Sequence, residues 1–595
     1  MPNVETLAPR PASAPAGARG SSLVHRPDQP GLRRLIQSVG PFALVVLVAC
    51  WVFFAELGSF PLFNPDEGLY AEPAREMLDT GEYLTTLLNY VVRFTKPPLV
   101  IWSMAGCYKV LGVSEFAARF FGASCGAVLV AATYGFLARY AGVRAALLGS
   151  AMLVTAPLFV GTGREAITDM PLSLFVAGSL ICFYRAHQDK ERFWSWLAYV
   201  LVGLAVMTKG PIGLILPVVI LASYHLLRGS WREALKFYCP QWGLLIVAAI
   251  AVPWFATEIS VTQGAYFREF IMRENVQRFT SVVDSHNGGW WYHLVAMLGG
   301  FFPWSVFLPQ ALARSLARPA SGSVVTAAQT MAARSGEFGP VWLRRLQQFL
   351  LRYRHLPAEQ DVMLFCACWA LVTLLLFSAS VSKLIPYTVP AFPALAALAA
   401  VEICSCLQSG ALARILAPFA GLAIIYGGAG LIGPAFVARL RDCPPDLFKI
   451  FAAYVSFQCL GTLLTIGLSA LRKPLWALST FTVLTLASSA FFGYRALCLL
   501  SSQWEGPLPS FSQYAATSDC PILVFDLRKP GVPFYTHRKV IQPASLVALQ
   551  KELSGFKQAY VITKATNRSA FEQIRGCRTV RQEGKFLLVC FRRQS

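Results

Sequence analysis

Apolar runs close to twenty residues long recur along the chain, at 41–57, 116–138, 144–162, 170–185, 194–208, 211–228, 242–258, 292–312, 361–380, 385–404, 411–435, 447–470 and 475–498. No other feature restricts the fold so strongly. The hydrocarbon core of a bilayer is about 30 Å thick, and an α-helix crosses it in about 20 residues. Inside it no water satisfies backbone N–H and C=O groups, so a spanning segment must close its own hydrogen bonds as a helix. Composition agrees. Charged residues make up 14% of the chain, against about 25% in ordinary soluble domains. The runs therefore predict an all-α polytopic membrane protein with about thirteen transmembrane helices.

One further run, 97–112, is ambiguous, because it is short and carries Lys109. Charge decides its placement, since Lys and Arg collect in cytoplasmic loops. Arg139 and Arg144, then Arg185, Lys190 and Arg192, then Arg228, Arg232 and Lys236 are expected inside. So are the loop 313–360, with Arg344, Arg345, Arg352 and Arg354, and the Arg472-Lys473 turn. With the N-terminus cytoplasmic, this alternation holds only if 97–112 lies on the outer surface without crossing. The net charge of +21 then reflects cytoplasmic loops, and no nucleic-acid partner is expected.

Residues 1–35, rich in Ala, Pro, Gly and Arg, are expected to form a disordered cytoplasmic tail ahead of a membrane domain over 36–498. Leu47-Val48-Ala49-Cys50 resembles a lipoprotein cleavage box. The apolar sequence continues through Trp51-Val52-Phe53-Phe54, so this run reads as a first span. In the basic loop 313–360, Val341–Arg354 reads as an amphipathic helix against anionic headgroups. Beyond Leu500 the pattern changes. Pro521–Asp526, Gln558–Thr563 and Lys585–Phe591 read as strands and Ser545–Ser554 as a helix, giving a small extramembrane α/β domain over 499–595. Cys520, Cys577 and Cys590 would face an oxidising compartment there, where one disulfide can form. No Cys/His spacing suggests zinc, and no Gly-rich phosphate loop suggests a nucleotide.

In this topology the non-cytoplasmic polar residues gather at one membrane face, in segments that include the external loop 58–115. Among them are Asp66, Glu67, Lys96, Arg164, Glu165, Asp169, Lys209, Glu274, Arg278, His286 and Lys383. A transporter or lipid flippase, the rival class, would place charges near mid-membrane on broken helices. Within the spans the ionisable residues are chiefly His225 and Glu402.

The densest polar passage is residues 60–102, FPLFNPDEGLYAEPAREMLDTGEYLTTLLNYVVRFTKPPLVIW. Asn64 or Asp66 can cap a helix running Glu67–Asp79, with Pro65 at its start and Gly81 ending it. Its pattern D-E-x-x-Y-A-E-x-x-R-E-M-L, followed by Lys96-Pro97-Pro98, resembles the first external loop of the protein O-mannosyltransferase superfamily. These are GT-C glycosyltransferases that use polyprenyl-phosphate sugars, and the likeness is greatest to the lipid A aminoarabinose transferases. It extends in kind over about residues 41–400 and implies a polyprenyl-phosphate-linked sugar donor, a lipid or protein acceptor, and a site on the periplasmic side of the inner membrane.

Transfer from such a donor breaks an anomeric C–O bond while charge builds on the leaving phosphate. It calls for cations at the phosphate and, for a hydroxyl acceptor, a carboxylate base. The resemblance carries the catalytic carboxylates onto Asp66, its neighbour Glu67, and Asp169 in Gly163-Arg164-Glu165-Ala166-Ile167-Thr168-Asp169. Taken alone, Asp169 reads rather as the cap of the helix that begins at Met170. Donor-phosphate contacts fall on Lys96, on Arg278 of Glu274-Asn275-Val276-Gln277-Arg278-Phe279, and on Lys383 and Tyr387 of Lys383-Leu384-Ile385-Pro386-Tyr387. Tyr70, Arg75, Lys209 and Glu274 are expected in support. The aminoarabinose transferases carry a Glu before the Lys-Pro and a His in the second loop, which bear on a metal site. Thr95 and Asn275 stand there instead, so no metal of that kind and no other cofactor is expected, with His286 and Glu274 as the remaining candidate ligands.

Overall fold

The computed structural model describes residues 32–94, 96–277, 280–281, 288–316, 353, 356–437 and 445–593. Every apolar run corresponds to a helix or a broken helix. In chain order the first half comprises α1 (Leu32–Phe54), α2 (Gly68–Thr80), a short hairpin of β1 (Leu87–Leu88) and β2 (Val91–Val92), α3 (Leu99–Leu111) and α4 (Glu115–Tyr140). There follow α5 (Val143–Thr155), α6 (Pro157–Gly163), α7 (Asp169–Asp189), α8 (Arg192–Lys209), α9 (Ile212–Arg228), α10 (Trp231–Tyr238) and α11 (Pro240–Val261). A π-helix covers Phe267–Gln277.

Among the described residues seven helices are long and apolar enough to cross a membrane, or up to nine if each of two bent pairs is one span. The chain is thus a multi-pass membrane protein of all-α type with a small C-terminal α/β part. Two runs expected as straight spans are broken. α5 and α6 meet at 68°, and Tyr292–Gly300 meets Trp304–Leu316 at 109°. Pro157 and Pro303 explain both, because proline lacks the N–H that would continue the ladder and pushes the preceding residue out of the helical region. The thirteen-residue α3 is too short to span, in keeping with its placement as a surface helix.

The centre of the bundle is the helix Phe392–Ser409, whose Ala394, Ala396, Ala397, Ala399 and Ala400 are fully buried. Small side chains let neighbouring backbones approach closely, which drives helix packing where solvent and side chain are equally apolar. The later helices Leu412–Val437, Pro445–Ala470 and Pro474–Ser488 instead present Ile424, Leu431, Leu460 and Trp476 outward, as a lipid-facing surface does.

The C-terminal part is a four-stranded sheet in the order β3 (Ile522–Phe525), β4 (Gln558–Lys564), β6 (Phe586–Arg592), β5 (Cys577–Glu583). β3 and β4 are parallel and the other pairs antiparallel. Alternation along the strands sends Ile522, Val524, Tyr560, Ile562 and Leu588 to one core and Leu523, Val561, Leu587 and Val589 to another. Cys520, Cys577 and Cys590 are free thiols, so none of the possible disulfides is formed. The expected helix over Val341–Arg354 lies outside the described residues apart from Tyr353, as does most of the expected N-terminal tail.

This part grips the external loop at two places. The Tyr535 hydroxyl accepts from the Leu62 amide at 2.8 Å, and Asn64 Oδ1 accepts from the Gly531 amide at 2.6 Å. The Asn64 side-chain amide donates to Glu505 at 3.1 Å, and Lys529 neutralises that carboxylate at 2.6 Å. At the hairpin tip Asn89 donates to the Val540 carbonyl at 2.6 Å and accepts from its amide at 2.8 Å. Neither Asn64 nor Asp66 caps α2 as expected. The helix starts at Gly68 with no side-chain cap, and Asn64 is committed to the C-terminal part.

Candidate active site

The external loop is held by a buried knot around Arg119 of α4. Its Nε donates to Glu67 Oε1 and Nη2 to Glu67 Oε2, each at 2.7 Å. The remaining N–H groups reach the carbonyls of Leu57, Phe60 and Pro61, each at 2.9 Å. Glu67 also accepts from the amides of Phe63 at 2.7 Å and Ala166 at 2.8 Å. One carboxylate thereby ties α2, α4 and the α6–α7 turn together. This corrects the expectation for Glu67: both oxygens are saturated and buried, so it fixes the loop and offers no lone pair to a substrate. Arg75, expected to support the site, is likewise consumed inside α2. It makes a two-pronged contact to Glu72, with both bonds at 2.7 Å, and pairs with Asp79.

The elements so fixed surround a cavity of about 460 Å3. At its charged end Asp169, in the first turn of α7, meets Lys209, the last residue of α8, at 2.6 Å. The Lys209 ammonium also stands 4.6 Å from the centre of the Tyr387 ring. Lys96, which pairs with Glu274 of the π-helix at 3.2 Å, lines the same cavity. Asn275, whose amide donates to the Phe270 carbonyl at 2.7 Å, completes that wall. The other walls are apolar, with Leu172, Ile212, Ile215, Ile271, Leu376 and Phe377. A cavity with ionic groups at one end and an aliphatic flank is complementary to a lipid that bears a phosphate.

Tyr70 sits behind this end, near Lys209, Asp169 and Arg93, and burial raises the pKa of its phenol. Asp66 is exposed at the start of the loop. In the α6–α7 turn lies Glu165, whose carboxyl feels the charges of Glu67, Asp66 and Asp169. Burial first, and those neighbours second, push Glu165 up to about 8.

Of the expected site residues, Lys96, Asp169, Lys209, Glu274 and Tyr387 line one cavity, and Tyr70 and Asp66 are electrostatically coupled to its surroundings, Tyr70 to Lys209 and Asp169 and Asp66 to Glu165. Lys383 is a correction. It does not line the cavity; its buried ammonium donates to the Ser378 carbonyl at 2.6 Å, where it completes the C-terminal end of the helix Ala358–Ala379. Arg278, Thr95 and His286 lie outside the described residues. No group of three His, Cys, Asp or Glu among the described residues is arranged to hold a metal. The donors on the wall in question are an Asn turned to a backbone carbonyl and a Lys-paired Glu, which do not fit one.

Sequence reasoning missed Arg93, Arg119 and Glu165 as parts of this assembly. Arg119 falls inside an apolar run, where length and hydropathy drew attention away from its charge. Glu165 was visible in the same turn as Asp169, and Arg93 only three positions before Lys96.

Residues 39–259 match the family model described as dolichyl-phosphate-mannose-protein mannosyltransferase. An uncharacterised protein of Aquifex aeolicus is 35% identical over 240 residues, 40% of this chain and 47% of that one. The undecaprenyl phosphate-α-4-amino-4-deoxy-L-arabinose arabinosyl transferase of Pectobacterium carotovorum is 28% identical over 370 residues, 60% of this chain and 58% of that one. That of Pectobacterium atrosepticum is 27% identical over 450 residues, covering 73% and 72%. The matched region thus spans between about half and three quarters of the length of these curated relatives. The crystal structure of ArnT from Cupriavidus metallidurans bound to undecaprenyl phosphate superposes with a TM-score of 0.71 at 23% identity, covering 93% of this chain and 98% of that one. The chain is a polytopic membrane protein of the GT-C fold, and its residues 39–259 are similar to the dolichyl-phosphate-mannose-protein mannosyltransferase family.

Proposed function

We propose that this protein is a glycosyltransferase that moves a sugar from a polyprenyl (undecaprenyl) phosphate carrier to a lipid acceptor, lipid A or another glycolipid. The observation that carries this reading is the cavity, which joins an ionic end to an aliphatic flank at the base of the external loop. The arabinosyl transferase names of the relatives and the undecaprenyl phosphate named for the matched structure support the same donor.

In the reaction the acceptor oxygen attacks the anomeric carbon from the face opposite the phosphate, so configuration inverts. The electrons of the C1–O bond pass to the leaving phosphate. Lys96 and Lys209, already aligned by Glu274 and Asp169, stabilise that charge without reorganising. The Tyr387 hydroxyl donates to the same phosphate, and Arg278 is assigned the same task by its motif. Asp66 takes the proton from a hydroxyl acceptor. With a phosphate acceptor, already ionised, it orients the acceptor or binds an amino group of the sugar. Asp169 keeps Lys209 in place, and the carrier's isoprene units lie along Ile212, Ile215, Leu172 and Leu376. The charge pattern supports an inner-membrane location with the N-terminus in the cytoplasm and the site, with residues 499–595, on the periplasmic side.

The test is sugar transfer in membranes from radiolabelled polyprenyl-phosphate sugars, wild type against Asp66→Asn, with products separated into lipid and protein fractions. Label in glycolipid that falls by two orders of magnitude or more in the variant is expected. Label in protein would move the acceptor to protein hydroxyls, as the name of the matching family describes. No transfer by folded protein from any donor in the set would overturn the reading in favour of a transporter.

A further inference from the structure

Arg93, three positions before the cavity residue Lys96, differs from the other cations of the external loop and its supports in having no carboxylate partner. Lys96 is paired with Glu274, Lys209 with Asp169, Arg119 with Glu67, and Arg75 with Glu72 and Asp79. Among the described residues no carboxylate lies within ion-pairing distance of Arg93. Its guanidinium makes one side-chain hydrogen bond, from Nη1 to the Leu69 carbonyl at 2.5 Å. Yet it is only partly exposed, and its electrostatic neighbours are the Tyr70 phenol and the Glu274 carboxylate of the site.

The backbone holds it there firmly. Arg93 follows β2 at the base of the hairpin, where its amide donates to the Thr86 carbonyl at 2.9 Å and its own carbonyl accepts from the Thr86 hydroxyl at 2.5 Å. The hairpin tip is fastened to Val540 through Asn89. Taking a cation partly out of water with one neutral acceptor is unfavourable unless an anion completes it. A guanidinium has five N–H donors in a planar fork that matches two oxygens of a phosphate. Four of the five here have no protein partner among the described residues.

We propose that Arg93 is a phosphate-binding residue of this site, presenting its unused fork to a substrate phosphate from the α2 side while Lys96 approaches from the π-helix side. The proposal rests on the glycosyltransferase reading above. The shared chemistry is a phosphate ester, and two sources carry it: the polyprenyl carrier and a phosphorylated lipid acceptor.

The experiment measures binding of two probes, undecaprenyl phosphate and bis-phosphorylated lipid A, to the full-length protein in detergent. Wild type, Arg93→Gln and Arg93→Lys are compared, and thermal midpoints are recorded for each. Loss of a charge-assisted fork predicts an affinity drop on the order of ten- to a hundredfold in Arg93→Gln, with partial retention in Arg93→Lys. A drop for undecaprenyl phosphate assigns the carrier, and a drop for lipid A alone assigns the acceptor. Affinity for both probes unchanged in Arg93→Gln, with wild type binding, overturns the proposal and leaves the function intact. Wild type binding neither probe overturns the function itself. If Arg93→Gln does not fold, Arg93→Lys decides. It keeps a donor for Leu69 but not the planar fork, so unchanged affinity in a folded Arg93→Lys overturns the proposal.

Discussion

The knot between Glu67 and Arg119 sets apart two readings of the Asp66-Glu67 pair, and removing Arg119 is the sharper perturbation. Arg119→Met leaves Glu67 buried with two backbone donors and no cation, and leaves three carbonyls without their shared donor. Breaking a buried pair from one side costs about 3–5 kcal/mol, because the surviving charge stays desolvated. Glu67→Gln is milder: the side chain keeps its shape and one acceptor oxygen, and loses charge-assisted bonds of about 1.5–3 kcal/mol. In the double variant the orphaned charge is absent, so a double-mutant cycle should give a coupling of about 2–3 kcal/mol. The assay is reversible unfolding in mixed detergent and SDS micelles, followed by tryptophan fluorescence, with sugar transfer measured on the same preparations. Glu67→Gln should lose stability, while its folded fraction keeps transfer within about tenfold of wild type, under the two orders of magnitude or more expected of a lost catalytic base. A Glu67→Gln protein as stable as wild type but slowed a hundredfold or more would refute the argument and return Glu67 to the chemistry.

Glu165 gives a pH test. Its carboxyl, pushed up to about 8 by burial and neighbouring carboxylates, holds its proton more tightly folded than unfolded. The associated stability is therefore present below the ordinary carboxylate pKa of about 4.5 and is lost as pH rises toward 8. Thermal midpoints of wild type should fall relative to Glu165→Gln between pH 5 and 9, and parallel curves would refute the assignment. Asn64→Ala removes the bonds to Gly531 and Glu505 and is expected to cost about 1–3 kcal/mol. Limited proteolysis should then cut more readily near residues 528–540, and an unchanged digest would show that the grip on the loop lies elsewhere.

How much of this was legible depended on which physical signal each residue carried. The spans were, because burial of about twenty apolar residues leaves an unmistakable run. The breaks in two of them were not read from length, although Pro157 and Pro303 mark the places. β3, β4 and β6 showed alternating or continuous apolar sequence, whereas β5, Cys-Arg-Thr-Val-Arg-Gln-Glu, is an edge strand with an exposed polar face and left no pattern to read. Lys96, Asp169, Lys209 and Tyr387 were found through local motifs. Lys383 was misjudged because a motif gives a residue's neighbours in sequence, and its ammonium turns back to the end of its own preceding helix. The partners of Glu67 and Asn64 are tertiary, separated by 52 and 467 positions, and no local window contains them.

That last separation bears on how the protein is made. Asn64 leaves the ribosome 467 residues before Gly531. At about 5–20 residues per second the external loop stays unlatched for roughly 25–90 seconds of synthesis. Throughout that interval the spans can insert and pack, while the hairpin that carries Arg93 has nothing to hold its tip. A segment synthesised after the spans is the one that closes the first loop, so the bundle is assembled before its outer face is set.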